Sequence, residues 1–447
     1  MNRYLFIDKG GSMARYIVIG GVAGGASTAA RLRRLDENAE IILVERGAHI
    51  SYANCGLPYY AGGVIAERDR LFVMTPDKLK GWLNIDVRIH TEATAIKIEN
   101  KTVVLKNLLT NIIKEETYDA LVLSPGAEPI RPAIPGIEDE RIFTVRSVPD
   151  IDAVKQYVDT KRPERAVVIG GGFIGLEMAE NLHHRGIFVT IVEALPQVMN
   201  VLDFEMAAMV HQQLKAKGVE LYLNTAVKQF SKQGSQLSML LSDGTNLQAD
   251  LAILSIGVKP DTKFIQEAGI QCAPNGAILV NEYLETSVKH IYALGDAVAV
   301  YNSMLDKAVT VPLAGPANKQ ARVVAENIVS NNTKTWKPAI GTSIAKVFDI
   351  TAASTGFSEK VLKAQGKAVA IMLTHGGSHA GYYPDSLPLT IKTVFHPETG
   401  ELYGAQVVGY DGVDKRIDVL AEAVRRHASV RELAEFEHAY APPFSSA

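Results

Sequence analysis

Residues 15–45 read RYIVIGGVAGGASTAARLRRLDENAEIILVE. Arg15–Gly20 is apolar enough for a buried strand, and Gly20–Gly25 forms a tight turn. Ala26–Leu35 is rich in helix formers, and Glu40–Glu45 is a second apolar run ending in an acid. Strand, glycine turn, helix, strand and acid, in that order, make a βαβ unit that holds a dinucleotide. The glycines let the backbone approach a pyrophosphate, and the helix start offers free N–H groups. Gly20, Val22, Ala23 and Gly24 are therefore expected at the phosphates. Glu45 is expected to accept from a ribose hydroxyl, with Arg46 beside it. Val22 stands where the middle glycine of GxGxxG belongs.

The pattern recurs. Arg165–Gly170 (RAVVIG) reads as a strand, and Gly170–Gly175 is an intact GxGxxG. Leu176–Arg185 reads as a helix, and Ile187–Glu193 (IFVTIVE) as a strand ending in a second acid. Two complete units in one chain say far more than either alone. Gly172, Phe173 and Ile174 are expected at the second nucleotide. Glu193 would accept from an adenosine 2′-OH and repel a 2′-phosphate, which favours NADH over NADPH unless Lys259 or Arg185 reaches the ribose.

Between the units, Asp86–Ile98, Lys101–Leu105 and Ile112–Thr117 suggest strands of a small insert. Tyr118–Ser124 is a strand that breaks at Ser124-Pro125-Gly126, where backbone would lie close to a bound group. Glu128–Gly136 carries too many prolines for a regular element and reads as a link. Asp250–Ser255 is the corresponding strand of the second unit, closed by SIGVK around Gly257. His290–Leu294 and the loop and helix Val311–Asn327 return the chain to the first unit. Beyond Trp336, four strand-like runs and two helices suggest an α+β domain with an antiparallel sheet. The expected fold class is α/β: two Rossmann-like domains plus a C-terminal α+β domain. The expected boundaries are 13–135 with 271–335, then 136–270, then 336–447.

A chain of 447 residues, 47% hydrophobic, has room for two or three cores. A formal charge of −3 argues against a general nucleic-acid binder, and no apolar run approaches the length of a membrane span. The leader MNRYLFIDKGG is too polar for a signal peptide, and Met1 or Met13 could be the true start. The two cysteines, Cys55 and Cys272, lie far apart, which suggests a reducing, cytoplasmic setting. The eleven histidines form no metal-ligand pattern, so no metal is expected.

From about Arg15 to Ala447 the chain resembles the flavoprotein pyridine nucleotide–disulfide oxidoreductases. It is most similar to their branch of coenzyme A-disulfide reductases and NADH-dependent persulfide reductases. The stretches that carry this are Gly20–Gly25, SYANCGLPY (51–59), GGGFIGLEMAE (170–180), YALGDAV (292–298), VPLAGPANKQ (311–320), HAGYYP (379–384) and AYAPPFSSA (439–447). The resemblance implies FAD in the first domain and NADH in the second. It implies cofactor contacts from Ser124, Gly126, Asn54, Gly257, Asp296, Pro312 and Ala314, with Glu177 near the nicotinamide. It also implies a homodimer formed through the third domain, which completes the partner's active site. Relatives often continue into a rhodanese domain, so the stop at Ala447 suggests a truncated chain lacking a sulfur-transfer partner domain.

Cys55 is the candidate redox residue. Superfamily members often carry CxxxxC, but Tyr59 and Tyr60 stand where a second cysteine belongs, so no internal dithiol can form. A lone thiolate can still pair with a small thiol, and a low thiol pKa would favour it. Coenzyme A, as substrate or bound ligand, would engage Arg31, Arg34, Ser51, Asn54, Lys78 and Arg131. Arg31 and Arg34 share a helix face, while Arg33 points elsewhere. An ordinary solvated helix face is the plain alternative. Tyr383 and Tyr440 are the candidates to assist the partner's cysteine, by resemblance, with Tyr382, His375 and His379 behind them. The expected activity is NADH-driven reduction of coenzyme A disulfide, coenzyme A persulfide or polysulfide. The rivals are an NADH oxidase or peroxidase cycling through a cysteine sulfenic acid, and a non-catalytic flavoprotein partner.

Overall fold

The computed structural model describes residues 13–446. The leader, with its question of Met1 or Met13, and the terminal Ala447 lie outside the described residues.

The first sheet has the order Ile291–Ala293, Ala120–Leu123, Arg15–Ile19, Glu40–Val44, Asp86–Arg88, with every pair parallel. Its central strand is apolar on both faces because helices cover one face and a small antiparallel sheet packs on the other. Ile17 and Val18 are fully buried in different clusters. The helix Ala23–Leu35 packs on the helix Ala314–Ser330, so two segments some 290 residues apart build one wall. A small antiparallel sheet, Thr91–Lys97, Thr102–Asn107 and Ile113–Thr117, lies beside this unit.

The second sheet repeats the plan: Glu220–Tyr222, Phe188–Val192, Arg165–Ile169, Leu251–Leu254, Ile142–Phe143, again parallel. The third is antiparallel, in the order Ser343–Val347, Ile350–Gly356, Leu402–Gly409, Pro388–Phe395, Ala370–Gly377. The amphipathic helix Val413–Arg425 covers one of its faces.

Several elements differ from the sequence reading. The run Asp86–Ile98 is not one strand: His90 takes φ +49°, ending a strand of the main sheet and starting one of the small sheet. The helices after the glycine turns begin earlier than expected, at Ala23 and Phe173, because the later turn glycines are themselves helical. The helix Val148–Lys161 was not expected. It is started by a Ser147/Asp150 capping box with proline in its first turn.

The third sheet is locked to the second unit by charge. Lys392 is wholly buried, with Nζ 2.9 Å from Asp203 and 2.6 Å from Glu359, and Glu205 also bound. Three such carboxylates are close enough to hold a metal ion, but the Lys392 ammonium fills that place. Glu180 accepts from Lys346 Nζ at 2.5 Å and from the Phe348 N–H at 2.8 Å.

Candidate active site

Both glycine turns are closed by the same device. Gly20 has φ +96°, and a Cβ there would lie 1.9 Å from the Ser124 carbonyl oxygen. A Cβ on Gly25 would lie 1.8 Å from the Gly20 oxygen. The helix start is thus pressed onto the ends of two strands, with no side chain capping it. Its first N–H groups are free for an anion. Val22 has φ −92° and ψ −122°, so this position does not take the positive φ for which a glycine would be required. Glu45 holds the turn from behind: Oε2 accepts from Gly21 N–H at 2.8 Å and Oε1 from Gly47 N–H at 2.7 Å. Arg46 is engaged by Glu128 and Asp261, at 2.8 and 2.9 Å.

In the second turn Gly170 has φ +107°, and a Cβ on Gly175 would lie 2.0 Å from the Gly170 oxygen. Glu193 accepts from Gly171 N–H at 2.6 Å and Leu195 N–H at 2.8 Å. A cleft of about 510 Å³ lies here, lined by Gly172, Glu193 and Gly257 among others. A Cβ on Gly172 would meet nothing, so space stays open at the helix start that Phe173 and Ile174 begin. Arg185 is held by Asp159 at 2.6 Å and does not line the cleft; nor does Lys259. Glu193 is thus the acid at this cleft.

The first sheet's C-terminal edge gathers a third group. A Cβ on Gly24 would touch Leu294 and Ser124 Oγ, and Gly295 N–H donates to Gln320 Oε1 at 2.8 Å. Asp296 follows in the short turn Gly295–Ala297; burial pushes its carboxyl up, against the pull of Arg146. Pro312 precedes the helix that Ala314 opens, which also lacks a side-chain cap. Gly126, at φ +73°, is packed against Arg146, whose Nε donates to Ala127 O at 2.6 Å. In the amide orientation that satisfies both groups, Asn54 accepts from Arg146 Nη1 at 2.6 Å and donates to Tyr52 O at 3.3 Å. Arg146 therefore links the cysteine loop to the flank of Asp296. Nothing local in the sequence singles it out.

Cys55 lies in the turn Asn54–Gly56, ahead of the short helix Leu57–Gly62, and is exposed. Its thiol is pushed up, not down: burial by the surrounding protein acts first, then the charges of Glu177 and Asp296. The charges nearest the thiol are thus acids, not the cations that would favour a thiolate. Burial lifts the Glu177 carboxyl to about 7, against the Tyr59 hydroxyl that donates to it at 3.5 Å. Tyr59 is itself pushed up to about 12 by burial and Glu177. Cys272 is half-buried, with its thiol directed at the Ile270 carbonyl at 3.6 Å.

A second cleft, about 740 Å³, opens along the Ala23–Leu35 helix. Arg31, Arg34 and Ser51 line it, as the sequence suggested. Arg33 faces away and donates to the carbonyls of Leu83 and Asn84, at 2.8 and 2.9 Å. Lys78 is exposed on the helix Pro76–Leu83, whose Leu79, Trp82 and Leu83 line the cleft although Lys78 does not. Arg131 is not brought here: it donates to Ile137 O at 2.8 Å and pairs with Glu138 at 3.6 Å. The link's own carbonyls and acid claim it. Arg322, Glu326 and Lys334, which sequence reasoning missed, complete the wall.

Tyr382 and Tyr440 share a 2.6 Å hydroxyl–hydroxyl hydrogen bond, while Tyr383 packs edge-on to His379 with centroids 5.7 Å apart. All three tyrosines are exposed in the single chain. Both His379 ring nitrogens are occupied, by Ser378 Oγ at 3.0 Å and Pro384 O at 2.9 Å, which removes it as a free base. His375 Nδ1 meets Thr390 Oγ1 at 3.0 Å.

The chain matches the family model described as pyridine nucleotide-disulphide oxidoreductase over residues 14–321, and the dimerisation-domain model of that family over 342–447. It is 36% identical to a coenzyme A disulfide reductase of Staphylococcus haemolyticus, over 97% of this chain and 96% of that protein. Among solved structures it is similar to reduced Bacillus anthracis CoADR-RHD, with TM-score 0.95 and 49% identity, over 98% of this chain and 78% of that one. An NAD-dependent persulfide reductase from A. fulgidus superposes with TM-score 0.93 and 37% identity, over 97% and 80%. A water-forming NADH oxidase from Lactobacillus brevis does so with TM-score 0.93 and 29% identity, over 97% and 95%.

Proposed function

The chain belongs to the pyridine nucleotide-disulphide oxidoreductase family, and from that premise we propose that it uses NADH to reduce coenzyme A disulfide, coenzyme A persulfide or polysulfide at Cys55. FAD, when bound, supplies the two-electron relay between NADH and sulfur. The residues fit that group, since the Gly20–Gly25 cradle leaves uncapped N–H groups and no room for a Cβ at Gly20 or Gly25. Residues 13–135 with 271–335 are the proposed FAD domain, 136–270 the NADH domain and 336–447 the dimerisation domain. Glu193 supplies the preference for NADH, because an acceptor-only carboxylate suits a 2′-hydroxyl and repels a phosphate.

The Cys55 thiolate attacks one sulfur of the substrate disulfide. A mixed disulfide with coenzyme A forms, and one coenzyme A thiolate leaves. Two electrons and a proton then cleave the mixed disulfide, releasing the second coenzyme A and restoring Cys55. A persulfide or polysulfide is attacked at its outer sulfur: the remaining thiolate or shortened polysulfide leaves, Cys55 carries the persulfide, and two electrons and a proton then release that sulfur as hydrogen sulfide and restore the Cys55 thiolate. The carrying observation is that the lone exposed cysteine shares its loop with Ser51, which lines the cation-rich cleft. Arg31 and Arg34 would hold the phosphates there. Tyr383 and Tyr440, from the partner of a homodimer, would stabilise the departing thiolate. Two unpaired cysteines suit a cytoplasmic setting; among the described residues no helix is long and apolar enough to cross a membrane.

Anaerobic reduction of the holoenzyme with NADH, followed by separate additions of coenzyme A disulfide, coenzyme A persulfide and peroxide, tests this. Fast reoxidation by a coenzyme A substrate, lost in Cys55→Ser, is expected. Reoxidation by peroxide or oxygen alone would transfer the reading to the oxidase chemistry named for the Lactobacillus brevis neighbour.

A further inference from the structure

The 740 Å³ cleft holds one acid that the proposed reaction does not need. Four cations line its wall: Arg31, Arg34, Arg322 and Lys334. Glu326 sits among them, one turn beyond Arg322 on the helix Ala314–Ser330 and on the same face. Its Oε1 accepts from Arg31 Nη2 at 2.9 Å and its Oε2 from Lys334 Nζ at 2.6 Å. Burial works against the charged form, yet Lys334 and Arg31 hold the carboxyl below the ordinary range. Of the Arg31 guanidinium only Nη2 is bonded to Glu326, and its Nε is buried without a partner.

Four like charges around a concave surface repel one another, and a single carboxylate relieves that repulsion. A ligand with several phosphate charges offers the same cations more than the carboxylate does, and the two cannot use the same donors at once. We propose that Glu326 is an internal counter-ion: it occupies Arg31 and Lys334 in the empty cleft, is exchanged for phosphate when coenzyme A enters, and so weakens the hold on that ligand. The consequence for turnover is direct. Each cycle on a coenzyme A disulfide leaves two coenzyme A molecules to be released, and a resident competitor speeds their departure. This inference rests on the reading that the cleft takes coenzyme A.

The test is calorimetric titration of the FAD-loaded enzyme with desulfo-coenzyme A, which cannot join to Cys55. Glu326→Gln is expected to tighten binding about three- to tenfold at low salt, with the gain shrinking in 0.5 M NaCl as screening grows. Glu326→Ala, which cannot donate to a phosphate, is expected to do the same. Unchanged or weaker binding in both variants would overturn the proposal and make Glu326 a positioning residue for Arg31. Tightening by glutamine alone, or a gain indifferent to salt, would overturn it too. A wild-type enzyme that takes up no desulfo-coenzyme A would instead overturn the coenzyme A reading itself.

Discussion

Glu177 stands one hydrogen bond from Tyr59 and within electrostatic reach of Cys55, and burial lifts its carboxyl to about 7. A carboxyl raised in the folded state contributes stability that is complete below its unfolded pKa, ordinarily 4.5, and lost as pH rises through 7. Glu177→Gln removes that loss. Its gain in thermal stability over wild type should grow from pH 5 to pH 8, by on the order of 1–2 kcal/mol. The same ionisation adds negative charge beside the thiol. Alkylation of Cys55 by iodoacetamide should therefore run faster in Glu177→Gln than in wild type above pH 7, and equally fast at pH 6. Equal rates at both pH values would remove Glu177 from the cysteine's surroundings. Cys55 and Glu177 stand out in sequence because each lies in a short motif. Arg322, Glu326 and Lys334 do not. They reach Arg31 only after nearly 300 residues of intervening chain, and as single charges on a helix or loop they look like solvent-facing ones. Arg131 failed for the converse reason: its charge was visible, but the Ile137 carbonyl that claims it was not.

On the proposed reading the two glycine turns are separate nucleotide sites, and each can be broken alone. In both, the last glycine brings the helix against the carbonyl of the first, and a methyl group would lie 1.8 or 2.0 Å from that oxygen. Neither backbone can yield without moving the helix start, so each alanine should cost several kcal/mol locally, on the order of 3. Gly25→Ala should purify with little or no bound FAD, read as lost absorbance near 450 nm. Gly175→Ala should keep its FAD but need at least about tenfold more NADH for reduction. Full NADH response in Gly175→Ala would mean the second turn is not the nicotinamide nucleotide's site. These βαβ units were legible because strand, turn, helix and acid follow one another without interruption. The helix Val148–Lys161 is marked in sequence by its Ser147 and Asp150 capping signal, but it follows the proline-rich link 128–136, whose breakers obscure where regular structure resumes. The strand Asp86–Arg88 cannot be told from its neighbour in sequence, because a histidine at positive φ leaves no mark in an apolar pattern.

At the scale of the whole molecule, the buried Lys392 cluster and the Glu180–Lys346 pair fix the third sheet to the second unit. The tyrosines lie on two irregular segments beside it, tied to one another by the Tyr382–Tyr440 hydroxyl pair and by the Ala380 N–H, which donates to the Pro442 carbonyl at 3.3 Å. In the single chain Tyr383 and Tyr440 are 43% and 50% exposed, and the neighbouring edge strand Ala370–Gly377 shows Ile371, Met372 and Leu373 to solvent. Such a face is what a two-fold partner would cover. If the partner's tyrosines assist Cys55, each active site draws on two chains, and inactive variants should rescue one another. Cys55→Ser supplies intact tyrosines but no sulfur; a Tyr383→Phe, Tyr440→Phe chain supplies sulfur but no hydroxyls. Unfolding and refolding an equal mixture gives hybrids in about half of the dimers, and each hybrid holds one complete site out of two. Turnover of coenzyme A disulfide should therefore recover to about a quarter of wild type. Sites built from one chain would give no recovery beyond the sum of the two variants measured alone. A hydroxyl that acts on the leaving thiolate should also leave NADH-driven reduction of FAD intact in the tyrosine variant while its disulfide turnover falls, by about a hundredfold if it acts as a general acid.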